Sequence, residues 1–155
     1  MKLDWKKLII CLLIPLAAGG LSALFSGSGA QYGMLEQPPL SPPGWVFPVV
    51  WTVLFLLMGY ASYLVLTSGG DPEQIRAALT LYGAQLFLNF LWSPVFFGLG
   101  WRLAAFLLLI VLWVLVWLTI RRFSKINETA GDLLLPYLLW VTFAGYLNLS
   151  VYLLN

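Results

Sequence analysis

The sequence predicts an all-α integral membrane protein, a bundle of five transmembrane helices that forms a single domain over residues 1–155. Hydrophobic residues make up 61% of the chain and charged residues 9%, against roughly 45–50% and about 25% in soluble proteins. Five uncharged apolar runs of 18–23 residues are each long enough to cross a hydrocarbon core of about 30 Å as a helix. The alternation of period two that indicates a transmembrane barrel is absent.

Turn and cap residues separate the predicted spans, which cover residues 8–25, 45–67, 77–99, 103–120 and 133–154. Glycine and serine at 26–29 end the first span, and two prolines with a glycine at 42–44 precede the second. Asp71 and Pro72 fit the N-cap and first turn of the third, which Gly98 and Gly100 close. Residues 129–132 resemble a cap for the fifth span. The segment 26–44 is the only long loop, and we expect it to form a lid.

The basic residues predict the orientation of the bundle. Arg102 lies at one side of the predicted bundle, and the other seven lie at the opposite side: Lys2, Lys6, Lys7, Arg76, Arg121, Arg122 and Lys125. The positive-inside rule then places the N-terminus inside and the C-terminus and the loop outside, in a bacterial cell membrane. The first span could instead be a cleaved signal peptide, although it is longer than the 7–15 residues typical of such a core.

Several classes of function are excluded by residues that the chain lacks. It has no histidine and one cysteine, Cys11, so most metal centres and acid–base sites cannot be built. No ionisable residue lies within the predicted spans, which argues against ion-coupled transport. Eight lysines and arginines are too few for a nucleic-acid surface. We therefore expect no required cofactor, no metal and no nucleic-acid partner.

Polar and aromatic side chains recur at helical spacing in the outer half of three spans. They are Trp51 and Phe55 in the second span, Gln85, Asn89 and Ser93 in the third, and Trp140, Ala144 and Asn148 in the fifth. Gly59, Ala144 and Gly145 would leave room between them. This pattern predicts an apolar pocket beneath the loop for a flat ligand. The alternative is that the polar residues only hydrogen-bond neighbouring helices.

Three motifs of the sequence together resemble those of a known protein family. They are PPGWVFPVVW at 42–51, AQLFLNFLWSPVFF at 84–97 and PYLLWVTFAGYLN at 136–148. Their order and content resemble the translocator protein family, also called the tryptophan-rich sensory proteins or peripheral-type benzodiazepine receptors. The resemblance implies a five-helix bundle, commonly dimeric, that binds porphyrins including haem and protoporphyrin IX. Thr80 and Ala84 offer a small-residue contact for such a homodimer.

The resemblance also implies site residues on matching positions. The resemblance implies that two indoles face the porphyrin, those of Trp51 and Trp140. The other ligand contacts that it implies are Tyr32 from the loop, Asn89 and Ser93 from the third span, and Ala144 and Leu147 from the fifth. The loop is poorer in aromatic residues than is usual in the family. No lysine or arginine follows Tyr146 or Tyr152, so sterol binding is not carried over.

Three functions remain open at this point. The first is a receptor or sensor that binds porphyrins and related flat apolar ligands, and that handles or transports them. The second is an enzyme that degrades protoporphyrin IX in light, with Trp51 and Trp140 as redox-active side chains. The third is a passive scaffold or small-molecule conduit. The partners expected are a flat apolar ligand, membrane lipid and a second copy of the chain.

Overall fold

The computed structural model describes residues 3–26 and 35–155, and these residues form helices without any strand. Five helices are long, and a π-helical turn at Pro94–Gly98 extends the third of them. A further helix of six residues precedes the last long one. The elements are α1 (Trp5–Phe25), α2 (Val46–Leu66), α3 (Pro72–Ser93), α4 (Arg102–Ile126), α5 (Glu128–Leu133) and α6 (Leu135–Leu154).

Four helical segments are long and apolar enough to cross a membrane, which identifies the chain as an integral membrane protein. They are Trp5–Phe25, Val46–Leu66, Arg102–Ile126 and Glu128–Leu154. The 22-residue helix α3 is not one of them, because Arg76, Gln85 and Asn89 lower its hydropathy. The prediction of a helical membrane protein is confirmed. The prediction that α3 is a fifth span and the prediction of inside and outside both stay predictions.

The helix starts agree with the sequence at one position and differ at another. A side-chain oxygen of Asp71 accepts a hydrogen bond from the backbone N–H of Glu73 at 3.1 Å, and Pro72 is the first residue of α3, as predicted. The predicted cap at residues 129–132 is wrong, because these residues lie inside α5. Asn127 is the cap instead, and its side chain accepts from the N–H of Ala130 at 3.1 Å.

The end of α3 widens into a π-helical turn at Pro94. Proline has no backbone N–H and cannot continue the hydrogen-bond ladder of the helix. The N–H of Leu99 reaches back to the carbonyl of Pro94 at 2.9 Å, and the N–H of Trp101 to that of Val95 at 3.1 Å. The turn places Phe97 at the end of the bundle where α1 ends and α2 begins.

The long helices form a ring in which α1 packs against α2 and α3, while α4 packs against α3 and α6. Aromatic side chains rather than close backbones join α2 to α6, since the Trp140 ring lies 5.9 Å from that of Phe47 and 6.4 Å from that of Trp51. Gly59 lies at the α1–α2 contact, where an added Cβ would be 2.7 Å from the carbonyl oxygen of Cys11. Its small size therefore serves helix packing, and the expectation that Gly59 leaves room for a ligand is wrong.

Residues 35–44 of the loop are held against the end of α6. The hydroxyl of Tyr146 donates to the carbonyl of Pro39 at 2.7 Å. The Asn155 side chain donates to the carbonyl of Glu36 at 3.0 Å and accepts from the N–H of Glu36 at 3.2 Å. Tyr32, the loop residue predicted to contact the ligand, lies outside the described residues.

Candidate functional site

A cavity of about 570 Å³ opens between α1, α2 and the end of α3. Ser26 and Gly44, the first and last residues of the predicted loop, both lie on its wall. The cavity is therefore at the end of the bundle that carries the loop, as the sequence predicts. The residues that line it are Leu16, Gly19, Gly20, Ser22, Ala23, Ser26, Gly44, Phe47, Pro48, Trp51, Thr52, Phe55, Asn89, Trp92, Ser93 and Phe97.

One wall of the cavity is aromatic. Trp51 and Phe55, one helical turn apart on α2, stack with ring centroids 5.6 Å apart and planes 26° from parallel. The indole of Trp92 lies 6.5 Å from that of Trp51 and itself stacks on Phe96 at 5.3 Å. The wall thus carries several aromatic rings, which give a flat ligand apolar burial and partners for stacking.

The opposite wall is formed by α1 and consists mainly of small residues. A Cβ at Gly19 would overlap the ring of Phe55, whereas one at Gly20 would meet nothing within 4 Å. Gly19 therefore sets the position of the aromatic wall, and Gly20 leaves space in front of it. This wall was not predicted, although six of the seven residues at 17–23 are alanine, glycine or serine, which is a signal of close approach in the first span.

Serine hydroxyls fix α1 to α3 at the edge of the cavity. The hydroxyl of Ser22 donates to the backbone carbonyl of Phe90 at 2.8 Å. The hydroxyl oxygens of Ser26 and Ser93 are 2.7 Å apart and share a hydrogen bond. Ser93 is thus on the cavity wall, as predicted, and it also joins two helices.

The predicted polar stripe on α3 makes hydrogen bonds to α6. The side-chain N–H of Asn89 donates to the hydroxyl of Tyr137 at 2.6 Å, and that hydroxyl donates to the side-chain oxygen of Gln85 at 2.6 Å. Nearby, the indole N–H of Trp92 donates to the side-chain oxygen of Asn148 at 2.9 Å. The stripe therefore joins helices, as the alternative interpretation holds, while Asn89 also faces the cavity.

Three predicted ligand residues on α6 lie away from this cavity. Trp140, Ala144 and Leu147 are absent from its described wall. Trp140 lines a separate apolar groove of about 450 Å³ between α2 and α6, and its ring meets that of Trp51 edge-on, with planes 88° apart. Trp51 is therefore between the cavity and Trp140. The structure brings Trp51, Phe55, Asn89 and Ser93 together on one wall, and leaves the α6 residues behind it.

The polar groups of the cavity are neutral. Its described wall carries the hydroxyls of Ser22, Ser26, Thr52 and Ser93, the amide of Asn89 and the indole of Trp51, whereas the indole N–H of Trp92 is already donated to Asn148. Within the described parts of the chain, no group of three or more His, Cys, Asp or Glu residues could hold a metal ion. The site is suited to hold an apolar ligand by stacking and to orient it by a few hydrogen bonds.

The chain is similar to proteins from all three domains of life. The model of the TspO/MBR family matches residues 11–154. A tryptophan-rich protein TspO from Chlorobaculum tepidum is 39% identical over 150 residues, which cover 96% of this chain and 95% of the relative. A tryptophan-rich sensory protein from Cereibacter sphaeroides is 36% identical over 155 residues, covering 100% and 95%. A translocator protein from Bos taurus is 36% identical over 150 residues, covering 93% and 87%.

Proposed function

Because the chain belongs to the TspO/MBR family, we propose that it is a receptor in a bacterial cell membrane that binds a porphyrin in the cavity between α1, α2 and α3. The observation that carries the proposal is the cavity of about 570 Å³ that Trp51 and the small residues of α1 line together, with the Phe55 ring packed against Gly19. An indole beside small residues leaves room for a flat molecule next to Gly20, where an added Cβ would meet nothing within 4 Å.

The size and the lining of the cavity support a ligand of cofactor size. Its volume lies within the roughly 300–1,000 Å³ of small-molecule pockets, which are mostly apolar with a few polar groups. Each ring that stacks on an aromatic side chain contributes about 0.5–1.5 kcal/mol beyond its burial. A macrocycle offers a large aromatic area to stack on the ring of Trp51.

The neutral wall favours a metal-free porphyrin over haem. Haem iron is held by histidine, cysteine, methionine or tyrosine, and the part of the wall that the structure describes contains none of these. The side-chain oxygen of Asn89 is an acceptor beside the cavity, since only its N–H group is used by Tyr137. An acceptor there can orient a polar substituent of the ligand.

The carboxylates of such a ligand would lie at the opening. A charge costs several kcal/mol when it is buried without a partner, and the described wall has no cation to pair with. Gly44 is exposed and marks the end of the cavity next to the loop, at the surface of the bundle. We therefore place the polar edge of the ligand beside Gly44 and its apolar face against Trp51.

A titration of the purified protein with protoporphyrin IX in the dark tests the proposal, with tryptophan quenching as the signal. Trp51→Leu removes one stacking surface, and we expect the dissociation constant to rise about 2- to 12-fold. Trp101→Phe is the matched control, because Trp101 is exposed and lies outside the cavity. Haem should bind more weakly than protoporphyrin IX. Equal affinity of the parent and Trp51→Leu, or preference for haem, would contradict the proposal.

The same titration distinguishes binding in this cavity from binding by the α6 residues that the family resemblance implies. Trp140 lies behind Trp51 and outside the cavity, so Trp140→Phe should change the affinity less than Trp51→Leu does. A larger effect of Trp140→Phe would move the site toward the groove between α2 and α6.

A further inference from the structure

A second, open cavity of about 470 Å³, which three charged side chains and two apolar ones line, lies between α3 and α4 at the end of the bundle opposite the loop. Its wall consists of Glu73, Arg76, Ala77, Thr80 and Leu81 on α3 and Arg122 on α4. We propose that this cavity binds the phosphodiester group of a membrane phospholipid, held between Arg76 and Arg122.

The two arginines supply the chemistry of a phosphate site. They come from different helices and line one concavity. Among the residues that the structure describes, the one salt bridge joins Lys7 to Asp4 at 3.9 Å, so neither Arg76 nor Arg122 has a carboxylate partner there. A guanidinium presents several N–H donors in a planar fork that matches phosphate oxygens. Two such groups on the wall of one concavity can together bind one phosphate.

The other polar groups of the cavity fit a singly charged phosphate with a donor-bearing headgroup. The hydroxyl of Thr80 already donates to the carbonyl of Arg76 at 2.8 Å, so its proton is not free for a ligand. Glu73 places a carboxylate beside the two guanidinium groups, which leaves one net positive charge in the cavity. A phosphodiester carries one negative charge, and headgroup hydroxyls would be donors to Glu73.

The position of the cavity favours a lipid over a soluble anion. Arg122 lies in the last part of α4, next to Arg121, whose guanidinium is 5.1 Å from the ring centroid of Trp117. Tryptophan and arginine side chains gather at the level of lipid headgroups, so Arg76 and Arg122 are at the same level. Ala77 and Leu81 give the cavity an apolar floor toward the middle of the bundle. The first carbons of the lipid chains would contact this floor.

Native mass spectrometry of the delipidated protein in neutral detergent tests the proposal, with dioleoylphosphatidylglycerol as the probe. We expect one retained lipid, whose occupancy falls at least fivefold in the Arg76→Gln/Arg122→Gln double variant. Arg121→Gln removes an equal charge from the same end of α4 but not from the cavity, and its occupancy should stay within twofold of the parent. Equal loss in both variants would show a general charge effect and overturn the proposal.

Two further probes identify the group that is recognised. Dioleoylglycerol has the same chains without the phosphate, and equal retention of this lipid would overturn the proposal. Inorganic phosphate should not displace the bound phosphatidylglycerol at millimolar concentration, since displacement would indicate a site for free phosphate. Arg122→Lys keeps the charge and removes the fork, so it should lower the occupancy several-fold even if the double variant does not fold. Far-UV circular dichroism verifies that each variant is helical.

Discussion

Helices α1 and α2 pack so closely at Gly59 that adding a single methyl group there should destabilise the protein. An added Cβ would lie 2.7 Å from the carbonyl oxygen of Cys11 and 2.9 Å from the Cα of Leu12. Both atoms belong to the backbone of α1, so no side-chain rotation relieves the overlap. Gly59→Ala must therefore move one helix away from the other, by about half an ångström or more to restore ordinary contact.

The size of this destabilisation can be worked out by comparison with Gly83→Ala. A Cβ at Gly83 would meet nothing within 4 Å, so this variant gains helix propensity of up to about 1 kcal/mol without any overlap. Gly59→Ala gains the same propensity but also incurs an overpacking cost of about 1–3 kcal/mol. The difference between the two free energies of unfolding isolates the packing cost, and we expect it to be about 1–3 kcal/mol.

Unfolding by sodium dodecyl sulfate in mixed micelles, followed by far-UV circular dichroism, measures this difference. Gly59→Ala should unfold at a lower detergent fraction than Gly83→Ala. If the two variants unfold at the same detergent fraction, α1 and α2 do not approach as closely at Gly59 as the structure shows. The wall of the cavity that α1 forms would then be misplaced.

Three other substitutions have expected outcomes. Tyr137→Phe removes a hydroxyl with two buried hydrogen bonds and should lower the free energy of unfolding by about 1–3 kcal/mol. Tyr152→Phe, at an exposed position, should lower it by much less, and equal values would contradict the hydrogen bonds of Tyr137 to Asn89 and Gln85. Leu40 has a φ of 72°, a conformation that favours glycine, so Leu40→Gly should raise the free energy of unfolding by up to about 1 kcal/mol. A lower free energy of unfolding would argue against this turn. Gly19→Ala overlaps the Phe55 ring and should weaken the quenching by protoporphyrin IX, which an unchanged titration would refute.

The helices could be predicted because a bilayer imposes long apolar runs, and the runs predicted in the sequence fall on the long helices of the structure. The boundary at Asn127 was missed because residues 121–132 are mostly polar on both sides of it, so the hydropathy does not change where one helix ends and the next begins. The π-helical turn at Pro94 was missed for a related reason, since a proline inside an apolar run indicates a distortion without saying which one.

The site was predicted in part, for a physical reason that α6 illustrates. Spacing shows which residues share a face of a helix, but the direction of that face depends on packing. Trp51 and Asn89 line the cavity, whereas Trp140 lines the groove between α2 and α6, and their contact with a ligand stays a prediction. The wall that α1 forms was missed because glycine and alanine carry neither a charge nor a ring. Their role in shaping the cavity becomes visible only once the neighbouring helix places Phe55 against them.

Filling the cavity tests its role most directly. A side chain at Gly20 would enter the cavity without a clash, since a Cβ there meets nothing within 4 Å, and Gly83 is equally open but lies elsewhere. We predict that Gly20→Leu weakens the binding of protoporphyrin IX at least tenfold in a dark quenching titration, and that Gly83→Leu leaves it within twofold of the parent. Equal affinities of the two folded variants would contradict the proposal that the ligand occupies the cavity between α1, α2 and α3.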